Sequence, residues 1–145
     1  YDNDIKIFIV TNQSGIGRGF YSEKDFLKVM EYILGIFQDF GCPVVDYRWC
    51  PHLPSDVCAC RKPQPSMVLE LAKIYNLNLV KSALIGDSVS DIQCGISAGI
   101  RNTFLIKQLD MPDDPKGLHF SDYFLSIHEL MDSIDWVNYL KNSID

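Results

Sequence analysis

No run of apolar residues approaches the roughly 20 needed to cross a bilayer, so no membrane partner is expected of these 145 residues. Basic residues are in the minority: 13 Lys and Arg stand against 19 Asp and Glu, for a net charge of −6. A general nucleic-acid binder carries a basic face. None is evident, so nucleic acid is not an expected partner. A phosphate site needs only a few local cations, and the net charge leaves a small phosphorylated substrate open. Internal repeats and low-complexity segments are absent. The opening residues, Tyr1-Asp2-Asn3-Asp4, carry neither Met nor a secretion signal. A strand-like run starts at once at Ile5, and that start reads as cut from a longer protein. Cysteine is present in an odd number, five, which without a secretion signal fits a reducing, cytoplasmic compartment.

What is there is ordinary for a globular protein: 47% apolar and 22% charged residues, in a length suited to a single domain over residues 1–145. Ile5 to Val10 is a short β-branched run that reads as a buried parallel strand. It leads into a polar, glycine-rich turn, TNQSGIGRG, from Thr11 to Gly19. Ser22, with Asp25 three residues on, predicts a capping box. Phe26, Val29, Met30, Ile33, Leu34 and Phe37 follow at helical spacing, up to a stop at Gly41. Strands are expected at Val44–Trp49, Ala83–Ile85, Asn102–Ile106 and, at an edge, Tyr123–Leu125. Helices are expected at Pro65–Tyr75, Asp91–Ala98 and from Ser126 to about Leu140. Asp110 to Gly117 reads as a surface loop. Strands alternating with helices predict an α/β fold with a parallel sheet.

Four segments carry chemistry. The first is Cys50-Pro-His52-Leu-Pro-Ser-Asp-Val-Cys58-Ala-Cys60. Three thiolates and an imidazole are a complete tetrahedral zinc set with no open position, hence a structural site. The bland reading is free cysteines beside an exposed histidine. A Cys58–Cys60 disulfide would be strained, and Cys42 and Cys94 read as small buried residues. The second segment is Thr11-Asn12-Gln13-Ser14-Gly15. A hydroxyl and backbone N–H groups at a strand's carboxyl end suit a phosphoryl group, although a plain polar turn has the same letters. The third is Gly86-Asp87-Ser88-Val89-Ser90-Asp91, in which two carboxylates four residues apart follow a buried strand. Such oxygen ligands suit Mg²⁺; the alternative is a helix cap at Asp87 or Ser88 with Asp91 solvated. The fourth, Arg61-Lys62-Pro63, could clamp a phosphate or be a solvated basic pair.

The order of the four is more specific than any one of them. TNQSGIGRG, then CPH…CAC, then RKPQP, then IGDSVSD resembles the haloacid dehalogenase (HAD) phosphatase superfamily. Within it, the chain is similar to the heptose 1,7-bisphosphate and histidinol-phosphate phosphatases, from about Ile5 to Ile106. The resemblance implies a Rossmann-like three-layer fold with a zinc loop at 50–60 and a magnesium-dependent phosphomonoesterase acting on a small sugar phosphate. It implies that Thr11 binds the transferring phosphoryl group, with Asn12 and Gln13 beside it. Lys62 then stabilises phosphoryl charge and Arg61 touches a substrate phosphate. Asp87 is a magnesium ligand, Asp91 supports it from nearby, and Cys50, His52, Cys58 and Cys60 hold zinc. Where such enzymes often carry a cation after the metal-binding Asp, this chain has Ser88.

These phosphatases attack phosphorus with the first Asp of an Asp-x-Asp pair, forming an aspartyl-phosphate, and use the second as acid and base. That pair ends a strand at least roughly 30 residues before the TNQSG segment, one strand-and-helix unit earlier. Asp2-Asn3-Asp4 has the letters without a preceding strand and is rejected. The expectation is therefore that the first, central strand and its nucleophile lie upstream of Tyr1, and that these 145 residues alone are inactive. A heptose bisphosphate is the leading substrate, because Pro63-Gln-Pro65-Ser-Met67 looks more like the heptose enzyme. The alternatives are a histidinol-phosphate phosphatase or a non-catalytic, zinc-stabilised module that binds phosphosugars. A polynucleotide 3′-phosphatase shares a similar TNQ segment but is disfavoured by the zinc loop and acidic charge. A monomer is expected. His119 and His128 are read as surface or packing residues.

Overall fold

A computed structural model describes residues 5–106 and the backbone of 122–124. Asp2 to Asp4, the Asp110–Gly117 loop, His119, His128 and the helix expected from Ser126 lie outside the described residues. The chain divides into two compact units, Tyr1–Arg61 and Lys62–Asp145. Among the described residues both are α/β and their strand pairs are parallel. Among the described residues no helix is long and apolar enough to cross a membrane.

The first unit runs β1 (Ile7–Asn12), a single-turn helix α1 (Ser14–Gly17), α2 (Glu23–Asp39) and β2 (Val44–Cys50). The sequence places α2 closely, because its ends are chemically marked. The Ser22 side chain accepts from the Asp25 backbone N–H, and the Asp25 carboxylate accepts from the Ser22 N–H and hydroxyl. This capping box satisfies donors that the first helical turn leaves orphaned. At the far end Gly41 takes φ +65°, a left-handed conformation that costs glycine no Cβ clash. The N–H groups of Gly41 and Cys42 then return to the carbonyls of Gln38 and Phe37, a Schellman stop. One turn apart on the helix, Phe26 and Met30 are buried. Phe26 meets the Trp49 ring of β2 at a centroid distance of 5.4 Å, and Trp49 stacks on Tyr47 at 5.7 Å. Tyr47 and Trp49 share a face because side chains alternate along a strand.

The second unit runs α3 (Ser66–Tyr75), a 3-10 turn at Leu79–Lys81, β3 (Ala83–Gly86), α4 (Val89–Ala98), β4 (Asn102–Ile106) and β5 (Asp122–Phe124), with strand order β3-β4-β5. Met67, Val68 and Leu71 of α3, Ile92, Cys94 and Ala98 of α4, and Leu84, Phe104 and Leu105 of the sheet are buried. Asn76, left-handed at φ +50°, ends α3. Asn78 caps the 3-10 turn by accepting from Val80 and Lys81. Ser88 caps α4.

Three expectations need correction, the simplest being Cys42, which is exposed rather than buried, while Cys94 is buried as expected. The first strand is shifted two residues, from Ile5–Val10 to Ile7–Asn12, so Thr11 and Asn12 are its last residues rather than turn residues. Parallel pairing with β2 continues through Thr11–Trp49 and Asn12–Cys50, and that pairing overrides the local polarity that suggests a turn. Nor are β1 and β3 buried throughout. β1 stays at intermediate exposure along its whole length, and Ile85 of β3 is 47% exposed. A parallel strand is buried only when both faces are covered, and among the described residues that cover is incomplete.

Candidate active site and metal centre

The parallel register sets the end of β1 beside the end of β2, and the first unit builds its polar groups there. Gln13 donates its backbone N–H to the Cys50 carbonyl at 2.7 Å, and Gly17 donates to the Pro51 carbonyl at 3.0 Å. The TNQSG segment and the cysteine-rich loop are thus one hydrogen-bonded body. Within it the Gln13 side chain is held at both ends. Its Nε2 donates to Thr11 Oγ1 at 2.9 Å, and its Oε1 accepts from the Tyr21 hydroxyl at 2.7 Å. Asn12, half-buried, ends the strand beside Cys50.

At the end of β2 and in the loop that follows, Cys50, His52, Cys58 and Cys60 bring one ligand atom each to within 4.8 Å of one another. No disulfide joins any of the five cysteines. The Sγ atoms of Cys58 and Cys50 lie 3.7 Å apart, and those of Cys60 and Cys58 3.8 Å. His52 Nδ1 lies 3.4 Å from Cys50 Sγ and 3.3 Å from Cys60 Sγ. A tetrahedron with zinc–sulfur bonds of about 2.3 Å has sulfur–sulfur edges of about 3.8 Å and sulfur–nitrogen edges of about 3.5 Å. Of these edges the Cys60–Cys50 one, at 3.1 Å, falls clearly short, and the remaining pair, His52 and Cys58, lies within 4.8 Å. Donor types and spacing fit a four-coordinate cation. To ionise together, the thiols also need one. Burial and the sulfurs of Cys50 and Cys58 push Cys60 up to about 12. Cys58 is lowered: burial opposes its ionisation, but the Arg61 backbone N–H and the neighbouring sulfurs outweigh burial. Three thiolates cannot share this volume unless a central positive charge offsets their repulsion. The loop is closed by Asp56, which accepts from the Leu53 N–H at 2.8 Å. The Arg61 guanidinium donates to the His52 carbonyl at 3.1 Å, so this predicted phosphate contact also braces the metal loop.

The second unit carries the other cation. Lys62 Nζ sits 2.6 Å from Asp91 Oδ1, with side chains only 11% and 7% exposed. The other carboxylate oxygen, Oδ2, accepts from the Ser88 N–H at 3.0 Å and the Ser88 hydroxyl at 2.8 Å. Asp91 is therefore not solvated. Burial opposes its charge, but the Lys62 ammonium and Ser88 together hold its carboxyl below the usual range. Ser88, not Asp87, is the α4 cap. Asp87 directly follows β3 and is exposed. Cys94, buried, donates its thiol to the Gln64 carbonyl at 3.3 Å, and burial pushes it up to about 11. A residue that sequence reasoning missed is Gly86. A Cβ there would overlap the Asp91 side chain, so the absence of a side chain at 86 lets Asp91 lie over the strand end. Tyr21 was missed likewise: no spacing rule links it to Thr11.

Residues 59–113 match the HAD-hydrolase-like family. The chain is 35% identical over 133 residues to the D-glycero-beta-D-manno-heptose-1,7-bisphosphate 7-phosphatase of Helicobacter pylori strain J99, covering 91% of this chain and 72% of that protein. The chain belongs to the HAD-like heptose-bisphosphate phosphatase family. A second member, the D-glycero-alpha-D-manno-heptose-1,7-bisphosphate 7-phosphatase of Photorhabdus laumondii, is 38% identical over 113 residues, which cover 73% of this chain and 62% of that one. Among solved structures, the D,D-heptose 1,7-bisphosphate phosphatase from B. bronchiseptica superposes with a TM-score of 0.74 at 27% identity, covering 88% of this chain and 72% of that one. That phosphatase was crystallised with magnesium and phosphate. The expected α/β class and HAD-like fold agree with both comparisons.

Proposed function

We propose that this chain is the larger part of a cytoplasmic, monomeric, magnesium-dependent phosphatase that removes the 7-phosphate of a D-glycero-D-manno-heptose 1,7-bisphosphate. The observation that carries the reading is the 35% identity across 91% of the chain to a phosphatase of that name. In this reading the Thr11 hydroxyl, at the end of β1, donates to an oxygen of the transferring phosphoryl group, and Asn12 contacts the same group. Lys62 neutralises phosphoryl charge as it develops, and Arg61 contacts the substrate's other phosphate. Magnesium, held by Asp87, would screen the phosphate oxygens and fix their orientation. Zinc would be structural on Cys50, His52, Cys58 and Cys60, because four protein ligands leave no position for substrate.

No Asp-x-Asp pair occurs between residues 5 and 106, and a hydroxyl and an ammonium do not replace an attacking carboxylate. The reading therefore assigns the nucleophile to a segment upstream of Tyr1. Relatives named for the alpha and the beta anomer both align with the chain, so both anomers belong in the assay. With magnesium, the full-length protein is expected to release phosphate from heptose 1,7-bisphosphate and to leave histidinol phosphate largely intact. The 145 residues alone are expected to be inactive, and Asp87→Ala in the full-length protein should abolish magnesium-dependent turnover with zinc retained. Turnover by the 145 residues would refute the upstream nucleophile. Binding of the bisphosphate without hydrolysis by the full-length protein would refute the enzyme reading.

A further inference from the structure

We propose that Tyr21 and Gln13 form a hydrogen-bond relay that fixes the direction in which the Thr11 hydroxyl donates, which makes both of them positioning residues for phosphoryl transfer. The inference rests on the phosphoryl-binding role given to Thr11 above. Two hydrogen bonds carry it: the Tyr21 hydroxyl lies 2.7 Å from Gln13 Oε1, and Gln13 Nε2 lies 2.9 Å from Thr11 Oγ1. A threonine hydroxyl has one proton and can both donate and accept. A phosphoryl group presents only acceptor oxygens, so Thr11 is useful to it only as a donor. The Gln13 amide settles this. Its NH2 occupies a lone pair of Thr11 Oγ1, so the Thr11 proton is left to another acceptor, which in this reading is the phosphoryl oxygen. A glutamine amide could turn over and accept from Thr11 instead. The Tyr21 hydroxyl donates to Oε1 at 2.7 Å and so favours this orientation; it can also accept from a turned amide, and the phosphoryl group, which only accepts, then selects the orientation in which Thr11 donates to it.

The backbone is built to keep this relay. The Gln13 N–H is anchored on the Cys50 carbonyl at 2.7 Å, so the residue cannot swing away from the strand end. Gly15 has no side chain where the Tyr21 ring lies; a Cβ there would overlap the ring carbons and the hydroxyl. The glycine of TNQSG thus makes room for an aromatic residue six positions later. Gln13, read from sequence as a substrate contact, has its amide engaged on both sides by protein groups.

The test is kinetic, in the full-length protein with magnesium and heptose 1,7-bisphosphate. Tyr21→Phe keeps the ring and removes the hydroxyl, which is worth one ordinary hydrogen bond. It should lower kcat by about three- to tenfold, with KM little changed. Gln13→Met fills similar volume without donor or acceptor and should lower kcat by about tenfold or more. Adding Tyr21→Phe to Gln13→Met should then cost nothing further, because Tyr21 acts only through Gln13. A purely structural role would instead appear as equal losses in melting temperature and as effects that multiply. Thr11→Ala serves as the reference and should remove most turnover. If Thr11→Ala is damaging while Tyr21→Phe is harmless, or if the two relay variants multiply, the relay is wrong and the phosphoryl role of Thr11 stands. If Thr11→Ala is harmless, that role fails and the relay fails with it.

Discussion

Replacing Asp91 by Asn should destabilise the protein by about 3 kcal/mol, because it removes the negative member of a buried ion pair and leaves the positive member behind. The substitution is nearly isosteric, and the Asn carbonyl can still accept from the Ser88 N–H and hydroxyl, so the α4 cap survives. What is lost is the counter-charge to a Lys62 ammonium that lies 2.6 Å away with an 11% exposed side chain. Urea unfolding at neutral pH reads the loss directly. The pH dependence gives an independent sign. The Asp91 carboxyl is held below its ordinary value in the folded state. Its contribution is therefore fully present above the unfolded-state value of about 3.9 and is lost as pH falls through the folded value. Between neutral pH and about pH 4, the Asn variant should lie below the native protein by a constant amount. Below that the gap should close. In a double-mutant cycle, Lys62→Met combined with Asp91→Asn should recover about 2 kcal/mol relative to the sum of the single changes, since no unpaired charge is then left buried. An Asn variant within about 0.5 kcal/mol of the native protein, with the same acid limb, would refute the pairing argument.

Two further outcomes follow from the same geometry. Protein purified without chelator should contain about one zinc per chain, and Cys58→Ser or chelation should lower the melting temperature. Exchange protection of the Gln13 and Gly17 amides should fall with it, because both donate to the metal loop. Unchanged protection on zinc removal would sever that link. Gly86→Ala should push Asp91 off the strand end, where the new Cβ would overlap it. The expected loss is about 1–3 kcal/mol together with lower turnover; a fully active, equally stable Ala variant would show that the close approach is dispensable.

The elements were legible wherever chemistry marks their ends. Ser22 with Asp25, Gly41 and Asn102–Ile106 placed their elements to within a residue or two, because caps and β-branched runs act through local backbone geometry. The Cys50–Cys60 loop was legible for the same reason: all its ligands come from eleven consecutive residues, so a short chain folding back on itself suffices. The metal-ligand and phosphate motifs could likewise be named, since each is contiguous.

Only tertiary structure decided the partners. Whether Thr11 belongs to strand or turn depended on pairing with Trp49, some 40 residues away, and local polarity pointed the wrong way. Asp91 had the same letters as a solvated helix residue. Its burial, its contact with Lys62 and the vacancy at Gly86 that admits it come from α4 packing over β3, which periodicity does not encode. The Tyr21–Gln13–Thr11 relay spans eleven residues through a turn with no repeating geometry, so no spacing rule could reveal it. Sequence by itself determined which chemical groups are present and which short segments hold them. Folding decided which proton, charge or carbonyl each of those groups meets, because hydrogen bonds and ion pairs act over about 3 Å, and only the packed chain sets distances on that scale.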